Sequence, residues 1–317
     1  MNIVEILDGV KNSNKRAIAR ALSEIENNSK LSEQILDNIA NSFGKSYRIG
    51  ITGPPGAGKS TLTNQLVKLL LEKNYRVGVI AIDPTSPFTG GALLGDRIRM
   101  NEIGLHPNVF IRSMATRGSL GGLSRYASEA GDIFDAANFD YTIFETVGVG
   151  QSELDVANTV DTTIVVLVPE SGDSIQAMKA GLMEIGDIFV MNKSDRAGAD
   201  NAVASLEFIL SFKDHDENTW IPPIVKTIAA ENKGTDELFD KITKHREYLI
   251  QTNQFNERRL NRIRNRIKEL ITNSLRKELW TVERNKILDE KIVSMLEGKL
   301  KLSEVVQELL ENFKNNK

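Results

Sequence analysis

The run "GPPGAGKST" (Gly53, Pro54, Pro55, Gly56, Ala57, Gly58, Lys59, Ser60 and Thr61) matches the pattern G-x-x-x-x-G-K-[ST] in full. Small residues at this spacing let successive backbone N–H groups converge on phosphate oxygens, and a helix that follows adds the positive end of its dipole. Lys59 is expected to reach the β- and γ-phosphates, binding them and stabilising charge during transfer, and the Ser60 hydroxyl to ligate Mg²⁺. A second short run, "VMNKSD", puts Asn192, Lys193 and Asp195 at the end of an apolar stretch. An Asp carboxylate accepts from both the ring N–H and the exocyclic amino group of guanine, whereas adenine presents no such pair. Asn192 is expected to tie this loop to the phosphate loop, with the Lys193 stem along the base. The nucleotide expected is therefore GTP, or its product GDP. Further on, "KTIAAENKG" stands where such sites usually offer a Ser-Ala turn to guanine O6. Ile228 brings no hydroxyl there, so the Ala229 N–H is left to donate, and Ile228, Ala229 and Ala230 are the residues expected to line the base.

Carboxylates come next. Asp83 closes "RVGVIAID", Asp96 lies in "GGALLGDRIRM", and Glu145 closes "YTIFE". Ligands of open α/β sheets gather at the C-terminal ends of strands, so all three are expected to face the triphosphate and its metal. Mg²⁺ keeps several waters and takes few protein ligands, so these acids are expected to act largely through metal-bound water. In "FETVGVGQSE", Gly148 supplies a backbone N–H for sensing the γ-phosphate. Val149, next to it, has no group with which to orient a water. Gln151 and Arg117 (in "TRGSLGG"), with Arg97 or a partner residue as alternatives, are the candidates to complete catalysis. Slow hydrolysis by the isolated protein follows from that arrangement.

These residues need a scaffold that puts them at one edge. Between residues 46 and 252, short apolar runs ("YRIGIT", "RVGVIAID", "NVFIRS", "YTIFET", "TTIVVLV", "DIFVMN", "PIVKT") alternate with helical stretches. That alternation predicts an α/β fold with a mostly parallel, doubly wound sheet. Residues 1–45 read as short helices, with Ile18, Ala21, Leu22 and Ile25 at helical spacing. Residues 253–317 read as a helical arm, with Leu260, Ile263, Ile267, Leu270 and Ile271 on one stripe and a break at Gly298. The opposite, Arg-rich face (Arg258, Arg259, Arg262, Arg264, Arg266, Lys268) reads as solvated surface, with a surface for nucleic acid or an acidic partner as the alternative. The stripe packs on the main domain or on a second copy of itself.

Composition narrows the classes. Among 317 residues, 40 Lys+Arg stand against 43 Asp+Glu, which gives no general attraction to nucleic acid or an anionic membrane. There is no Cys, so disulfides and thiolate chemistry are excluded. No apolar run approaches the roughly 18 residues of a membrane span, and the acidic N-terminus lacks a signal-peptide pattern. A cytoplasmic location is expected.

Taken together and in this order, "GPPGAGKST", "AIDPTSPFTGGALLGDRIRM", "TRGSLGGLS", "FETVGVGQSE" and "MNKSD" resemble the methylmalonyl-CoA mutase-associated GTPases of the MeaB/ArgK type. The resemblance covers nearly the whole chain. It implies a Mg-GTP-binding chaperone, slow to hydrolyse, that gates cofactor loading and protection of an adenosylcobalamin-dependent acyl-CoA mutase, methylmalonyl-CoA mutase foremost. It also implies a homodimer built through the C-terminal arm, and Asp83, Asp96 and Glu145 as the metal-proximal acids. The segment "GDSIQAMKAGLMEIGD", with Asp173, Gln176 and Lys179 at helical spacing, would be a third mobile element responding to nucleotide or partner.

Other functions fit less well. A nickel-delivering metallochaperone GTPase needs thiolate or imidazole ligands, and this chain has no Cys and three widely separated His. A kinase or ATPase linked to basic amino-acid transport is opposed by the guanine-selective "NKSD". A signal-recognition GTPase would carry a Met-rich arm, and Met totals 7. The run "KDHDEN" lacks the Gly of a D-x-H-x-x-G cobalamin loop, so any cobalamin belongs to a partner.

Overall fold

The computed structural model describes residues 1–27, 29–84, 101–116, 122–146, 156–169, 181–212, 216 and 219–315. These form two compact units, Met1–Arg259 and Leu260–Lys317.

The larger unit is built on β1 (Tyr47–Thr52), β2 (Val77–Pro84), β3 (Val109–Thr116), β4 (Tyr141–Thr146), β5 (Thr162–Leu167), β6 (Ile188–Asn192) and β7 (Ile224–Thr227). They make a 7-stranded sheet in the order β3-β2-β4-β1-β5-β6-β7, and every neighbouring pair is parallel. Each of the apolar runs picked out in the sequence is one of these strands. β1, β4 and β5 are buried along their whole length. That burial is why their sequences are apolar and Thr-rich without alternation: helices cover both faces. The buried threonines find partners, as where Thr146 Oγ1 donates to Thr52 Oγ1 at 3.0 Å.

The N-terminal helices α1 (Ile3–Lys11), α2 (Lys15–Glu26) and α3 (Lys30–Ile39) join this unit and form no core of their own. Ile18, Ala21, Leu22 and Ile25 are buried on α2 as their spacing requires. With Ile6 and Ile35 they pack into the cluster that holds Ile80, Ile82, Phe134 and Phe144. Each buried Ile or Leu side chain contributes about 1.5–3 kcal/mol of burial energy. The opposite face of the sheet is covered by α4 (Lys59–Glu72), whose Leu62, Leu66 and Leu70 meet Ile49, Ile51, Ile143 and Val166. Next in the chain come α5 (Asn101–Gly104), α6 (Gly122–Ala136), α7 (Leu182–Ile185), α8 (Ala199–Leu210), α9 (Thr235–Gln251) and α10 (Gln254–Leu279).

At the edge where the strands begin, charged groups knit the unit together. The Arg48 guanidinium donates to Asp132 and Asp135, each at 2.7 Å, and the Arg48 N–H donates to Asp161 at 2.9 Å. From the first turns of α10, Arg258 grips the Asp187 carboxylate with two bonds of 3.0 and 3.1 Å. Arg259 donates to the Ser46 carbonyl at 3.0 Å. His245 is fully buried beside them, bonded to Thr162 Oγ1 at 2.8 Å. Burial pushes its pKa down from 6.5 to about 4, against an opposing pull from Asp187.

The smaller unit comprises the rest of α10 with α11 (Val282–Leu296) and α12 (Leu302–Asn315). Gly298, at φ +74, ends α11 where the sequence places a break. Lys291 pairs with Glu308 at 2.7 Å to hold the two helices. The stripe expected on α10 is present and exposed: Leu260 59%, Ile263 43%, Ile267 52%, Leu270 39% and Ile271 55%.

Candidate nucleotide-binding site

The phosphate loop leaves β1 at Thr52 and enters α4 at Lys59, a strand-loop-helix context that suits phosphate cradling. Two glycines are dictated by close approach. At Gly53 (φ +136) a Cβ would fall 2.2 Å from the Val166 carbonyl oxygen. At Gly58 (φ +88) it would fall 2.4 Å from the side-chain nitrogen of Asn192. The Lys59 ammonium is largely buried and donates to the Gly53 and Pro54 carbonyls at 2.8 and 2.9 Å, so it lies across the loop it serves. Next to it, Ser60 Oγ donates to Glu145 Oε1 at 2.5 Å. Glu145 is buried near the end of β4, where it stands opposite Ile51 of β1 and Ala81 of β2. Serine and carboxylate oxygens therefore meet at the C-terminal edge of the sheet, a donor set suited to a hard cation such as Mg²⁺. Among the described residues no three His, Asp or Glu side chains converge on one point.

The residues expected from the sequence to read the base stand at the ends of β6 and β7. Asn192 is buried and does three things. Its Nδ2 donates to the Ala57 carbonyl at 2.8 Å. Its Oδ1 accepts from Thr227 Oγ1 and from the Ala229 N–H, both at 3.0 Å. Lys193 takes a left-handed backbone (φ +56), and its ammonium donates to the Gly56 carbonyl at 2.8 Å. Its stem consequently bridges base loop and phosphate loop. Ser194 ties back to the Thr227 carbonyl at 3.1 Å through both N–H and hydroxyl. Asp195 is exposed, its carboxylate available to a ligand. The turn after β7 is a 3₁₀ segment, Ala229–Glu231, closed by reciprocal backbone bonds of 3.0 and 3.2 Å between Ile228 and Lys233.

The structure thus gathers the phosphate loop, Glu145, Asn192, Lys193, Asp195 and the Ile228–Ala230 turn at one edge. Asp83 lies at the end of β2, opposite Ala115, although its side chain falls outside the described residues. Asp96, Arg97, Arg117, Gly148, Val149, Gln151, Asp173, Gln176 and Lys179 all lie outside the described residues. Two contributors escaped the sequence. Thr227 closes β7 with a hydroxyl on Asn192. Gln65, on α4, donates to the Ala229 carbonyl at 3.1 Å. Neither belongs to a motif; both are recognisable only from the chain that folds against them.

A parallel sheet with a G-x-x-x-x-G-K-S loop on its central strand and N-K-x-D two strands away defines a P-loop GTPase. More narrowly, the chain belongs to the family of methylmalonyl-CoA mutase-associated GTPases, MeaB, whose model matches residues 15–284, and it is a GTP hydrolase of that family. A Pyrococcus abyssi protein named as a GTPase is 49% identical over 272 residues, 85% of this chain and 84% of that one. The mouse protein "Methylmalonic aciduria type A homolog, mitochondrial" is 36% identical over 216 residues, 67% of this chain and 52% of that one. Among solved structures, a LAO/AO transport system kinase superposes with a TM-score of 0.77 at 26% identity, over 99% of each chain. No helix among the described residues is long and apolar enough to cross a membrane.

Proposed function

We propose that this GTPase is a chaperone of an adenosylcobalamin-dependent acyl-CoA mutase, methylmalonyl-CoA mutase foremost, and that its nucleotide state gates cofactor loading and protection. The observation that carries this is family membership across residues 15–284, in a family described by its association with that mutase. The mouse relative, with methylmalonic aciduria in its name, points the same way.

The nucleotide is GTP or GDP, read by Asp195 and framed by Asn192 and Lys193. Lys59 exchanges its bonds to the Gly53 and Pro54 carbonyls for β/γ-phosphate oxygens. Mg²⁺ fits the Ser60 and Glu145 oxygens, with Asp83 and Asp96 acting through water, and its charge would offset that of the phosphates. Gln151 and Arg117 complete hydrolysis when the partner docks. Correct placement of such groups is worth roughly 10³–10⁵ in rate in switch GTPases. The exposed stripe from Leu260 to Ile271 suits a homodimer through the C-terminal arm, in the cytoplasm.

Single-turnover GTP hydrolysis, with and without the mutase of the same cell, tests this. Slow turnover alone and acceleration by the mutase are expected, with the acceleration lost in Gln151→Ala or Arg117→Ala. Fast turnover by the lone protein, or indifference to every cobalamin mutase present, overturns the chaperone reading. Asp195→Asn tests the nucleotide separately: it should weaken GTP and favour xanthosine triphosphate, whose 2-oxo group requires a donor. Equal binding of ATP and GTP by the unaltered protein would refute guanine selectivity.

A further inference from the structure

The turn that faces the base has lost one support and gained another. Ile228 offers no hydroxyl to the loop of Asp195. From the other side, Gln65 reaches out of α4 to the Ala229 carbonyl at 3.1 Å. Gln65 lies six residues beyond Lys59 on the same helix, so one helix carries both the phosphate cation and the hold on the base turn.

The geometry sorts the turn's donors. The Ala229 N–H is occupied by Asn192 Oδ1 at 3.0 Å, and Ala229 is 2% exposed. It is therefore spent on the protein interior. Ala230 is exposed. Its N–H belongs to the same peptide group as the Ala229 carbonyl, and no peptide bond among the described residues is cis. In a trans peptide the C=O and N–H point in opposite directions. By drawing the Ala229 carbonyl toward α4, Gln65 turns the Ala230 N–H away from α4. Within the turn the same carbonyl also accepts from the Asn232 N–H at 3.3 Å, and Gln65 is the side chain that adds a hold on it from α4.

We infer that Gln65 is a positioning residue for base specificity: it orients the 229–230 peptide so that the Ala230 N–H, rather than that of Ala229, meets the 6-oxo group of guanine. The inference rests on the guanine-nucleotide reading of the site. It differs from the expectation from sequence, in which Ala229 is the donor, and it adds a residue that contacts neither base nor phosphate.

The test compares analogues of the base. The triphosphate of 2-aminopurine riboside lacks the 6-oxo group and the N1–H and keeps the 2-amino group; the missing N1–H is common to every variant, so a change in its ratio between variants reports on the 6-oxo contact. Inosine triphosphate does the reverse and reports on Asp195. Dissociation constants for both and for GTP are measured on the full chain, unaltered and as Gln65→Leu, which preserves bulk and removes the donor, and as Gln65→Glu, which sets a carboxylate against the Ala229 carbonyl. The preference for GTP over the 2-aminopurine nucleotide should fall by about tenfold in Gln65→Leu and further in Gln65→Glu, a fold-change within the range of one lost hydrogen bond. The preference for GTP over inosine triphosphate should move less than twofold. An unchanged 2-aminopurine ratio in folded Gln65→Leu overturns the inference. So does an equal shift in both ratios, which would mean general loosening of the site. If the unaltered protein fails to prefer GTP over ATP, the guanine reading itself falls, and that result is separate from either outcome for Gln65.

Discussion

Asn192 and Gly58 meet face to face: the Asn192 side chain reaches the Ala57 carbonyl at 2.8 Å by crossing the space where a Gly58 Cβ would stand, 2.4 Å from its nitrogen. The loop that carries Lys59 and the loop that carries Asp195 are joined at this contact. Asn192 joins them by bonding to Ala57 on one side and to Thr227 and Ala229 on the other.

Gly58→Ala should therefore damage more than the phosphate loop. The added methyl both strains a left-handed backbone, at roughly 1–2 kcal/mol, and displaces Asn192. GTP affinity is expected to fall by at least about tenfold, and Asn192→Ala should produce a comparable loss without the strain. Fluorescent-nucleotide titration of the single and double variants checks the coupling. Losses that simply add would show that the two residues act independently.

The grip of α10 on the sheet decides where the arm can be removed. Arg258 and Arg259 bind Asp187 and Ser46 within the larger unit, so removal of everything after Gln251 strips these partners. Hydrogen bonds to charged groups contribute roughly 1.5–3 kcal/mol each, and thermal melting should show a clear drop. A chain ending after Arg264 keeps both arginines and should melt close to the full protein. Light scattering should report a dimer for the full chain and a monomer for this shorter one. Equal melting of the two truncations would show the clamp to be inconsequential.

Acid should destabilise the protein through His245. Its pKa is about 4 in the folded chain against 6.5 otherwise, with burial the main cause. The unfolded chain therefore binds the extra proton first. The stabilisation is complete above pH 6.5 and is lost as pH falls toward 4, about 3 kcal/mol in all. The charged groups facing His245 are Asp187 and Asp161, which pull its pKa up, and Arg258, which pushes it down. Urea unfolding between pH 4 and 7 should show a slope approaching one proton in this interval, absent in His245→Gln. Equal slopes in the two proteins would assign the acid sensitivity elsewhere.

Much of the site is legible from short stretches of chain because its chemistry is local. Lys59 and Ser60 must follow Gly58 directly for a helix N-terminus to face phosphate, and Asn192 and Asp195 must share one loop to frame a base. The strands declare themselves for a similar reason: a sheet covered on both faces requires unbroken apolar runs such as Tyr47–Thr52 and Thr162–Leu167. The tertiary structure alone decided which distant groups meet. Gln65 and Ala229 are 164 residues apart, and Arg258 and Asp187 are 71 apart. The N-terminal helices carry a plain amphipathic pattern, which states that they bury a face without stating against what. Their partners, Phe134, Phe144 and Ile80, are fixed by strand order. Local sequence encodes the period and the chemistry of a segment, whereas the pairing of segments depends on packing across the whole sheet, which no short window contains.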